Sequence, residues 1–202
     1  MTPRVSVLCE GTIRRDGKTV LEAHSSSTLV MAGNEVIVVD TSSREYRERL
    51  IEGLARVGLR PTQVTMLVST HLHQDHHGND DLFPQARKVS VSGEGEVGEG
   101  FLLAEGVTLV RTPGHTMESA SVFVEAERRY AITGDAIPIR DNVVKWVPPG
   151  LRYDEDLAMR SMRLIVDFAE VIVPGHGAPF ELEGISTIGR KTNGKGDSGM
   201  EG

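Results

Sequence analysis

The chain has 202 residues, of which 39% are hydrophobic and 25% are charged, a composition typical of one soluble globular domain. Its formal net charge of −7 excludes a protein whose whole surface binds a nucleic-acid backbone or an anionic membrane. The one cysteine, Cys9, excludes an internal disulfide, and no run reaches the roughly 18 apolar residues of a membrane span. The first residues also lack the apolar core of a signal peptide, so we expect a cytoplasmic protein that binds no membrane.

Short runs rich in β-branched residues recur along the chain and predict strands. In chain order they cover residues 5–8, 19–21, 27–31, 36–39, 64–68, 89–91, 107–110, 121–124, 130–132 and 171–173. The Asp16-Gly17 pair predicts a turn between the first two of these strands, and further hairpin turns are expected at residues 32–35 and 126–128. The sheets should therefore contain many antiparallel neighbours.

Two helices are predicted between the strands. The first covers residues 44–57 and stops at Gly58, and the second covers residues 155–169. From Gly184 onward the periodicity is lost, and the remaining segment contains too little apolar surface to offset its ordering entropy. We therefore expect one domain over residues 1–183 and a disordered tail over residues 184–202.

Four of the seven histidines lie within seven residues, at positions 71, 73, 76 and 77. In an extended segment residues i and i+2 point the same way, so His71 and His73 can converge on one metal ion where the strand at 64–68 ends. Asp75 and His76 are adjacent and cannot share a strand face, so the chain must turn there and direct them to a second position. This segment predicts ligands for two metal positions.

Three further candidates follow other predicted strands. His115 and His176 each come directly after a Pro-Gly pair, and this pair is the signature of a type II turn that would project the next side chain from the strand's end. Asp135 closes the strand at 130–132 within a Thr-Gly-Asp segment, and its two carboxylate oxygens suit a bridge between two ions.

In this order, the motifs H-x-H-x-D-H at 71–76, T-P-G-H at 112–115, G-D at 134–135 and P-G-H-G at 174–177 resemble those of the metallo-β-lactamase superfamily. The resemblance covers about residues 5–180 and is greatest with small single-domain members. It implies an α/β (α+β) fold, a four-layer αββα sandwich whose metal site lies at the strand ends between two sheets.

The resemblance also implies a ligand set and a cofactor. His71, His73 and His115 would hold the first ion. Asp75, His76 and His176 would hold the second ion, and Asp135 would bridge the two. The implied cofactor is a pair of divalent ions, with zinc favoured over manganese or iron. Cys9 lies outside every motif and is expected to be a small buried hydrophobe.

Two divalent ions that share a water lower its pKa from about 15.7 toward about 7 and so supply a nucleophile at neutral pH. We predict a hydrolase whose metal-bridged hydroxide cleaves an ester, lactone, thioester or phosphodiester, with Asp75 and Asp135 as the catalytic carboxylates. Asp75 would orient or relay the proton. Two alternatives stay open: a ribonuclease or phosphodiesterase of this fold, and a mononuclear iron persulfide dioxygenase.

Two segments are expected to line the substrate pocket: the hairpin tip at 13–18 and a loop at 140–153. Both segments carry cations that suit a carboxylate or phosphate of the substrate. The loop at 140–153 also carries a tryptophan that could form an apolar wall of the pocket. The candidate substrate contacts are Arg14, Arg15, Arg140, Lys145 and Trp146. Solvated loops and a structural tryptophan are the alternative. The expected partner is a small, anionic substrate; nucleic acid is not favoured, and the homo-oligomeric state stays open.

Three other residues have alternative roles. Asp40 ends the strand at 36–39 and either orients a metal-bound histidine or caps the helix that follows. His77 has no place in the implied ligand set and is expected to face solvent or to lie behind the ligands. His24 follows a strand pattern and is expected to be structural, with the edge of the site as the alternative.

Overall fold

The computed structural model describes residues 1–17, 19–93 and 95–185. Its strands are β1 Arg4–Cys9, β2 Thr12–Asp16, β3 Thr19–His24, β4 Ser27–Ala32, β5 Glu35–Val39, β6 Met66–Ser69, β7 Arg87–Ser90, β8 Gly100–Ala104, β9 Val107–Arg111, β10 Ala120–Glu125, β11 Arg129–Ile132, β12 Val171–Val173 and β13 Phe180–Glu181. The helices are α1 Arg47–Arg56, α2 Gln74–His77, α3 Arg140–Lys145 and α4 Glu155–Phe168.

The strands form two mixed sheets and a separate hairpin. The first sheet has the order β1-β4-β5-β6-β7, and the second has the order β13-β12-β11-β10-β9-β8. The β2–β3 hairpin stands apart from both. Neighbours are antiparallel except for β5-β6, β6-β7 and β11-β12, which are parallel.

The central strands of both sheets are buried on two faces, and alternate residues of these strands point to different apolar clusters. In β5, Ile37 and Val39 join the cluster between the sheets, whereas Val38 points outward. In β12, Val173 faces the other sheet and Ile172 faces outward. This period of two matches the pleat of a strand and explains why the strands read as continuous apolar runs.

The helices cover the outer faces. Leu50 and Leu54 of α1, four residues apart, are fully buried against the outer face of the first sheet, and each such burial contributes roughly 1.5–3 kcal/mol. Met162 and Ile165 of α4 pack in the same way on the second sheet. Asp154 caps α4 by accepting a hydrogen bond from the backbone N–H of Leu157 at 2.8 Å. The predicted four-layer αββα sandwich is confirmed.

Several predicted elements differ from the structure. The Asp16-Gly17 turn joins β2 to β3, not the first two predicted strands, and β1 pairs with β4. β2 and β8 escaped prediction because they are largely exposed and lack a buried apolar run. The predicted loop at 140–153 begins with the short helix α3, whose Asn142 amide donates hydrogen bonds to two carbonyls just beyond the helix.

The direction of the strands places five carboxyl ends near the site. β5 and β6 are parallel, so they end at one edge of the first sheet. β9 and β11 are both antiparallel to β10 and therefore run the same way, and β12 is parallel to β11. The segments that leave β6, β9, β11 and β12 carry all seven implied ligands, directly or within one short helix, and the segment that leaves β5 carries Asp40.

No helix in the described ranges is long and apolar enough to cross a membrane. The domain boundary at residue 183 stays a prediction. Most of the expected tail, residues 186–202, lies outside the described residues.

Candidate metal centre

The first histidine cluster forms where the segments after β6 and β9 meet. The ligand atoms of His71, His73 and His115 all lie within 4.8 Å of one another. His73 Nδ1 and His115 Nε2 are 3.0 Å apart. Three ring nitrogens thus converge on one small space, as three protein ligands of one ion require.

The second cluster contains Asp75, His76 and His176, whose ligand atoms also lie within 4.8 Å of one another. Asp75 Oδ2 is 3.6 Å from His176 Nε2 and 3.9 Å from His76 Nε2. The predicted turn after His73 is the single turn of α2, which brings Asp75 and His76 together with His176, while the His76 ring stays 4.1 Å from the His71 ring. The six candidate ligands other than Asp135 therefore lie in two groups of three.

Asp135 lies between the two clusters. Its Oδ2 is 3.5 Å from His115 Nε2 in the first cluster. Its Oδ1 is 3.2 Å from His176 Nε2 and 3.5 Å from His76 Nε2 in the second. One carboxylate thus presents a different oxygen to each cluster, which is the arrangement that a bridging ligand needs.

The residues present fit divalent metal. Three buried atoms that point toward this space, His71 Nε2, His76 Nε2 and Asp135 Oδ1, have no hydrogen-bond partner. A buried polar atom without a partner costs about 1–3 kcal/mol, so three such atoms at one site suit a positively charged ligand. Imidazole nitrogens and carboxylate oxygens are the donor set that zinc and related divalent ions prefer.

The other ring nitrogen of three ligands is held by an acceptor. His76 Nδ1–H donates to Asp40 Oδ2 at 2.7 Å, and His115 Nδ1–H donates to the Leu151 carbonyl at 2.7 Å. His176 Nδ1–H donates to the His24 carbonyl at 2.9 Å. Each contact fixes the tautomer that leaves the Nε2 lone pair free for a metal.

Asp40 is buried and adopts a left-handed backbone with φ 55°. Its Oδ1 accepts the backbone N–H of Thr70 at 2.8 Å, and its Oδ2 accepts the Thr70 hydroxyl at 2.8 Å as well as His76. The carboxylate therefore lies behind His76 and not at the start of the first helix. Such backbone strain persists only where surrounding contacts hold it in place.

The glycines of the motifs are needed for close approach. A Cβ on Gly175 would lie 2.4 Å from Asp135 Oδ1, and a Cβ on Gly134 would lie 2.2 Å from the Thr70 hydroxyl. The predicted type II turn is wrong at Gly175, which has no positive φ. Space for Asp135, and not the turn geometry, requires glycine at this position.

Burial and neighbouring charges shift the pKa values of the candidate ligands in different directions. Burial, with the neighbouring His76, lowers the pKa of His71 well below its usual value, which favours the neutral, metal-binding ring. Burial opposes the charged form of His76, but Asp40 and Asp135 outweigh it and raise the His76 pKa. Burial likewise opposes ionisation of Asp135, yet His176 and His76 hold its pKa well below the usual range. Asp135 is therefore a carboxylate at neutral pH.

The predicted substrate contacts are spread over two regions. On the β2–β3 hairpin, Arg14 pairs with Glu22 at 3.3 Å. The guanidinium of Arg15 approaches Gly150, next to the Leu151 whose carbonyl holds His115. The hairpin thus meets the 146–153 segment beside the first cluster.

The other candidates lie on α3. Lys145 pairs with Asp141 of the same helix at 2.7 Å, and Arg140 is exposed at its start. Trp146 ends the helix with φ 52°, packs against the α4 cluster, and has the Arg163 guanidinium 4.5 Å from its ring centroid. Substrate contact by these residues stays a prediction.

His77 and Cys9 lie outside both clusters. His77 Nε2–H donates to the Leu72 carbonyl at 3.2 Å in an exposed contact, and the role of His77 stays a prediction. Cys9 is buried, and burial raises the pKa of its thiol to about 11. A thiol with such a pKa is a poor ligand or nucleophile at neutral pH.

A cleft of about 600 Å³ opens beside the second cluster. It is lined by Ala23, Ser43, Arg44, Glu45, Gln74, Asp75 and Gly78. The sequence pointed to Asp75 but not to the other walls, because nothing in the local pattern brings residues 43–45 next to α2. The Leu151 carbonyl was also missed, since any residue carries one.

Comparisons with known proteins agree with this geometry. The sequence profile of the Metallo-beta-lactamase superfamily matches residues 21–102. A Methanocaldococcus jannaschii protein named "probable metallo-hydrolase" is 33% identical over 177 residues, covering 85% of this chain and 86% of its own. Metallo-beta-lactamase domain-containing protein 1 of Xenopus laevis is 32% identical over 192 residues, covering 88% of this chain and 81% of its own.

Solved structures share the fold. A candidate metallo-β-lactamase from Thermotoga maritima superimposes with a TM-score of 0.72 at 20% identity, covering 90% of this chain and 100% of its own. An N-acyl homoserine lactone hydrolase, solved with product at its catalytic metal centre, gives a TM-score of 0.65 at 20% identity, covering 87% of this chain and 92% of its own.

An αββα sandwich with two His/Asp clusters at its strand ends defines a class of metal-dependent hydrolase. With relatives of this identity along most of its length, the chain belongs to the metallo-β-lactamase superfamily.

Proposed function

We propose that this protein is a dinuclear metallo-hydrolase that cleaves an ester, lactone, thioester or phosphodiester bond of a small, anionic substrate. The observation that carries the proposal is the position of Asp135, whose Oδ2 faces His115 of the first cluster and whose Oδ1 faces His176 of the second. A carboxylate shared in this way suits two neighbouring ions better than one.

His71, His73 and His115 would hold the first ion, and Asp75, His76 and His176 the second. Zinc is the favoured metal because nitrogen donors dominate the set, with manganese and iron as alternatives. When bound, the ions would supply a water nucleophile of lowered pKa and a Lewis acid for the oxygen that gains charge.

The chain's own residues supply positioning and proton transfer. Asp75 is the more accessible catalytic carboxylate, with 24% of its side chain exposed against 13% for Asp135. Asp75 Oδ2 faces His76 and His176, which leaves the other oxygen to accept a proton from the attacking water and return it to the leaving group. The cleft beside Asp75 gives a small substrate access from that side.

Charge supports a small substrate over RNA. Arg14 and Lys145, two of the candidate cations, already pair with acidic side chains, and the whole chain carries −7. A nuclease that binds a long phosphate backbone would need unpaired cations along its track. The related N-acyl homoserine lactonase of Bacillus thuringiensis, 27% identical over 156 residues, covering 64% of this chain and 62% of its own, supports including lactones among the substrates.

The first test is elemental analysis of protein purified without added metal. We expect close to two zinc or manganese ions per chain, followed by turnover in a screen of ester, lactone, thioester and phosphodiester substrates. One iron per chain, with oxygen consumption on a persulfide, would overturn the proposal in favour of a dioxygenase.

A further inference from the structure

Three consecutive residues hold the second cluster through their backbone. The His24 carbonyl accepts the Nδ1–H of His176 at 2.9 Å. The Ser25 N–H donates to the Asp75 carbonyl at 3.2 Å, and the Ser26 N–H donates to the Gly175 carbonyl at 2.7 Å. Residues 24–26, here called the backbone clamp, thus connect the two segments that carry Asp75 and His176.

The clamp is specific to that half of the site. His115 is held instead by the Leu151 carbonyl, and His71 Nδ1 lies 3.2 Å from the Thr70 hydroxyl. Among the hydrogen bonds of the described residues, none joins residues 24–26 to the first cluster. A displacement of the clamp would therefore act on the second ion before the first.

The His24 ring anchors the clamp. Its Nδ1 lies 2.5 Å from Ser43 Oγ and its Nε2 lies 2.9 Å from Glu22 Oε1. The ring also stacks on Tyr46 with centroids 4.0 Å apart and planes 16° apart. Both ring nitrogens are occupied and the side chain is 7% exposed, so the ring fixes the backbone at residue 24 and is not itself a ligand.

The other side of the clamp is equally constrained. Ser42 Oγ donates to the Ser25 carbonyl at 2.8 Å, and the Gly11 N–H donates to Ser26 Oγ at 3.0 Å. A Cβ on Gly11 would lie 2.4 Å from the Ser26 nitrogen and 2.6 Å from the His24 carbonyl oxygen. The backbone of the clamp therefore has one close-packed position, which the His24 ring completes.

We propose that His24 is a positioning residue for the Asp75–His176 half of the metal centre. It acts through its backbone carbonyl and through the anchoring of its ring between Ser43, Glu22 and Tyr46. The proposal rests on the proposed dinuclear function. Partners that orient metal-bound histidines are worth about 10–100-fold in metal affinity, which sets the expected effect on the second ion.

The test measures the dissociation constants of both zinc ions by chelator competition in the full chain, for wild type and His24→Ala. His24→Asn is the conservative rescue, because its amide can reach Ser43. Glu22→Gln keeps an acceptor for the ring but removes its charge, so it weakens one anchoring contact. Because Glu22 is half-exposed, this variant tests the anchor even where His24→Ala misfolds. Phe123→Leu is the control, since it loses packing against Phe168 in the α4 layer and contacts neither cluster.

We expect His24→Ala to weaken the second ion about 10–100-fold while the first ion changes less than about 3-fold, with partial recovery in His24→Asn and a smaller effect in Glu22→Gln. Phe123→Leu should change neither constant. If the wild type, the His24 variants and the Glu22 variant all bind two ions with the same dissociation constants, the positioning role is overturned and the proposed function stays intact. A wild type that binds one ion would overturn both proposals.

Discussion

His76 donates its Nδ1 hydrogen to Asp40 Oδ2 across 2.7 Å, and both side chains are buried. The same carboxylate accepts two hydrogen bonds from Thr70, the residue before His71. One buried acid therefore orients a ligand of the second cluster and the backbone that leads into the first.

Replacement of Asp40 should damage both metal binding and stability. Asp40→Ala leaves His76 Nδ1 and the Thr70 N–H buried without an acceptor, so we expect the free energy of unfolding of the metal-free protein to fall by about 3–5 kcal/mol. We expect zinc affinity at the second position to fall about 10–100-fold. Urea unfolding and zinc titration measure the two effects. Asp81→Asn, at an exposed ion pair, is the control; equal results for the two variants would contradict the assignment.

Asp135→Asn should remove most turnover. The amide keeps the shape of the side chain but loses the charge that faces both clusters, so we expect kcat/KM to fall at least 100-fold, about 2.7 kcal/mol in the activation free energy. Steady-state kinetics on an identified substrate, with metal content measured in the same sample, checks this. Asp167→Asn on the exposed face of α4 is the matched control. Wild-type turnover with unchanged metal content would rule out the bridging role.

Removal of metal should destabilise the fold. Because His71 Nε2, His76 Nε2 and Asp135 Oδ1 are buried without partners, the metal-free site keeps their desolvation cost. At a free zinc concentration of about 100 times Kd, binding adds about 2.7 kcal/mol, so chelation should lower Tm by about 5–10 °C. Differential scanning calorimetry with and without chelator measures the shift, and zinc should restore Tm where magnesium does not. An unchanged Tm would argue against a metal site.

Cys9 predicts a specific loss of stability at alkaline pH. Burial raises its pKa from 9.0 to about 11, so the folded state holds the thiol proton more tightly than the unfolded state. The contribution of Cys9 to the free energy of unfolding is therefore intact below pH 9 and is lost as pH rises toward 11. We expect the wild type to lose about 2–3 kcal/mol more over this range than Cys9→Ala does. Urea unfolding between pH 8 and pH 11, roughly, gives both slopes. Parallel slopes, or fast thiol labelling of the folded protein near neutral pH, would contradict this environment.

Trp146→Ala separates a structural role from a substrate contact. The ring packs on the α4 cluster beneath Arg163, so we expect a loss of about 2–3 kcal/mol in unfolding free energy. KM for an identified substrate should stay within about 2-fold of wild type, a difference of roughly 0.4 kcal/mol. Unfolding and kinetics on the same preparation decide between the roles. A large rise in KM with little loss of stability would make Trp146 part of the substrate pocket.

The sequence by itself predicted the candidate ligands, and its resemblance to the superfamily implied the sandwich that the structure shows. His71, His73, Asp75 and His76 are spaced so that an extended segment and then a single helical turn direct them to two positions, and this follows from local geometry alone. The buried strands could be predicted from the sequence because strands that are buried on both faces consist almost entirely of apolar residues. Exposed elements such as β2 and β8 carry no such pattern and were missed.

Only the tertiary structure decided what orients the ligands. His176 is held by the carbonyl of His24, which is 152 positions away, and His115 by the carbonyl of Leu151, which is 36 positions away. Every residue has a backbone carbonyl, so the residue types at positions 24 and 151 give no indication that these carbonyls bind the histidines. The cleft beside Asp75 likewise exists only because the folded chain brings residues 43–45 against α2. Side-chain chemistry can be recognised in a sequence, whereas the placement of backbone atoms depends on how the layers pack.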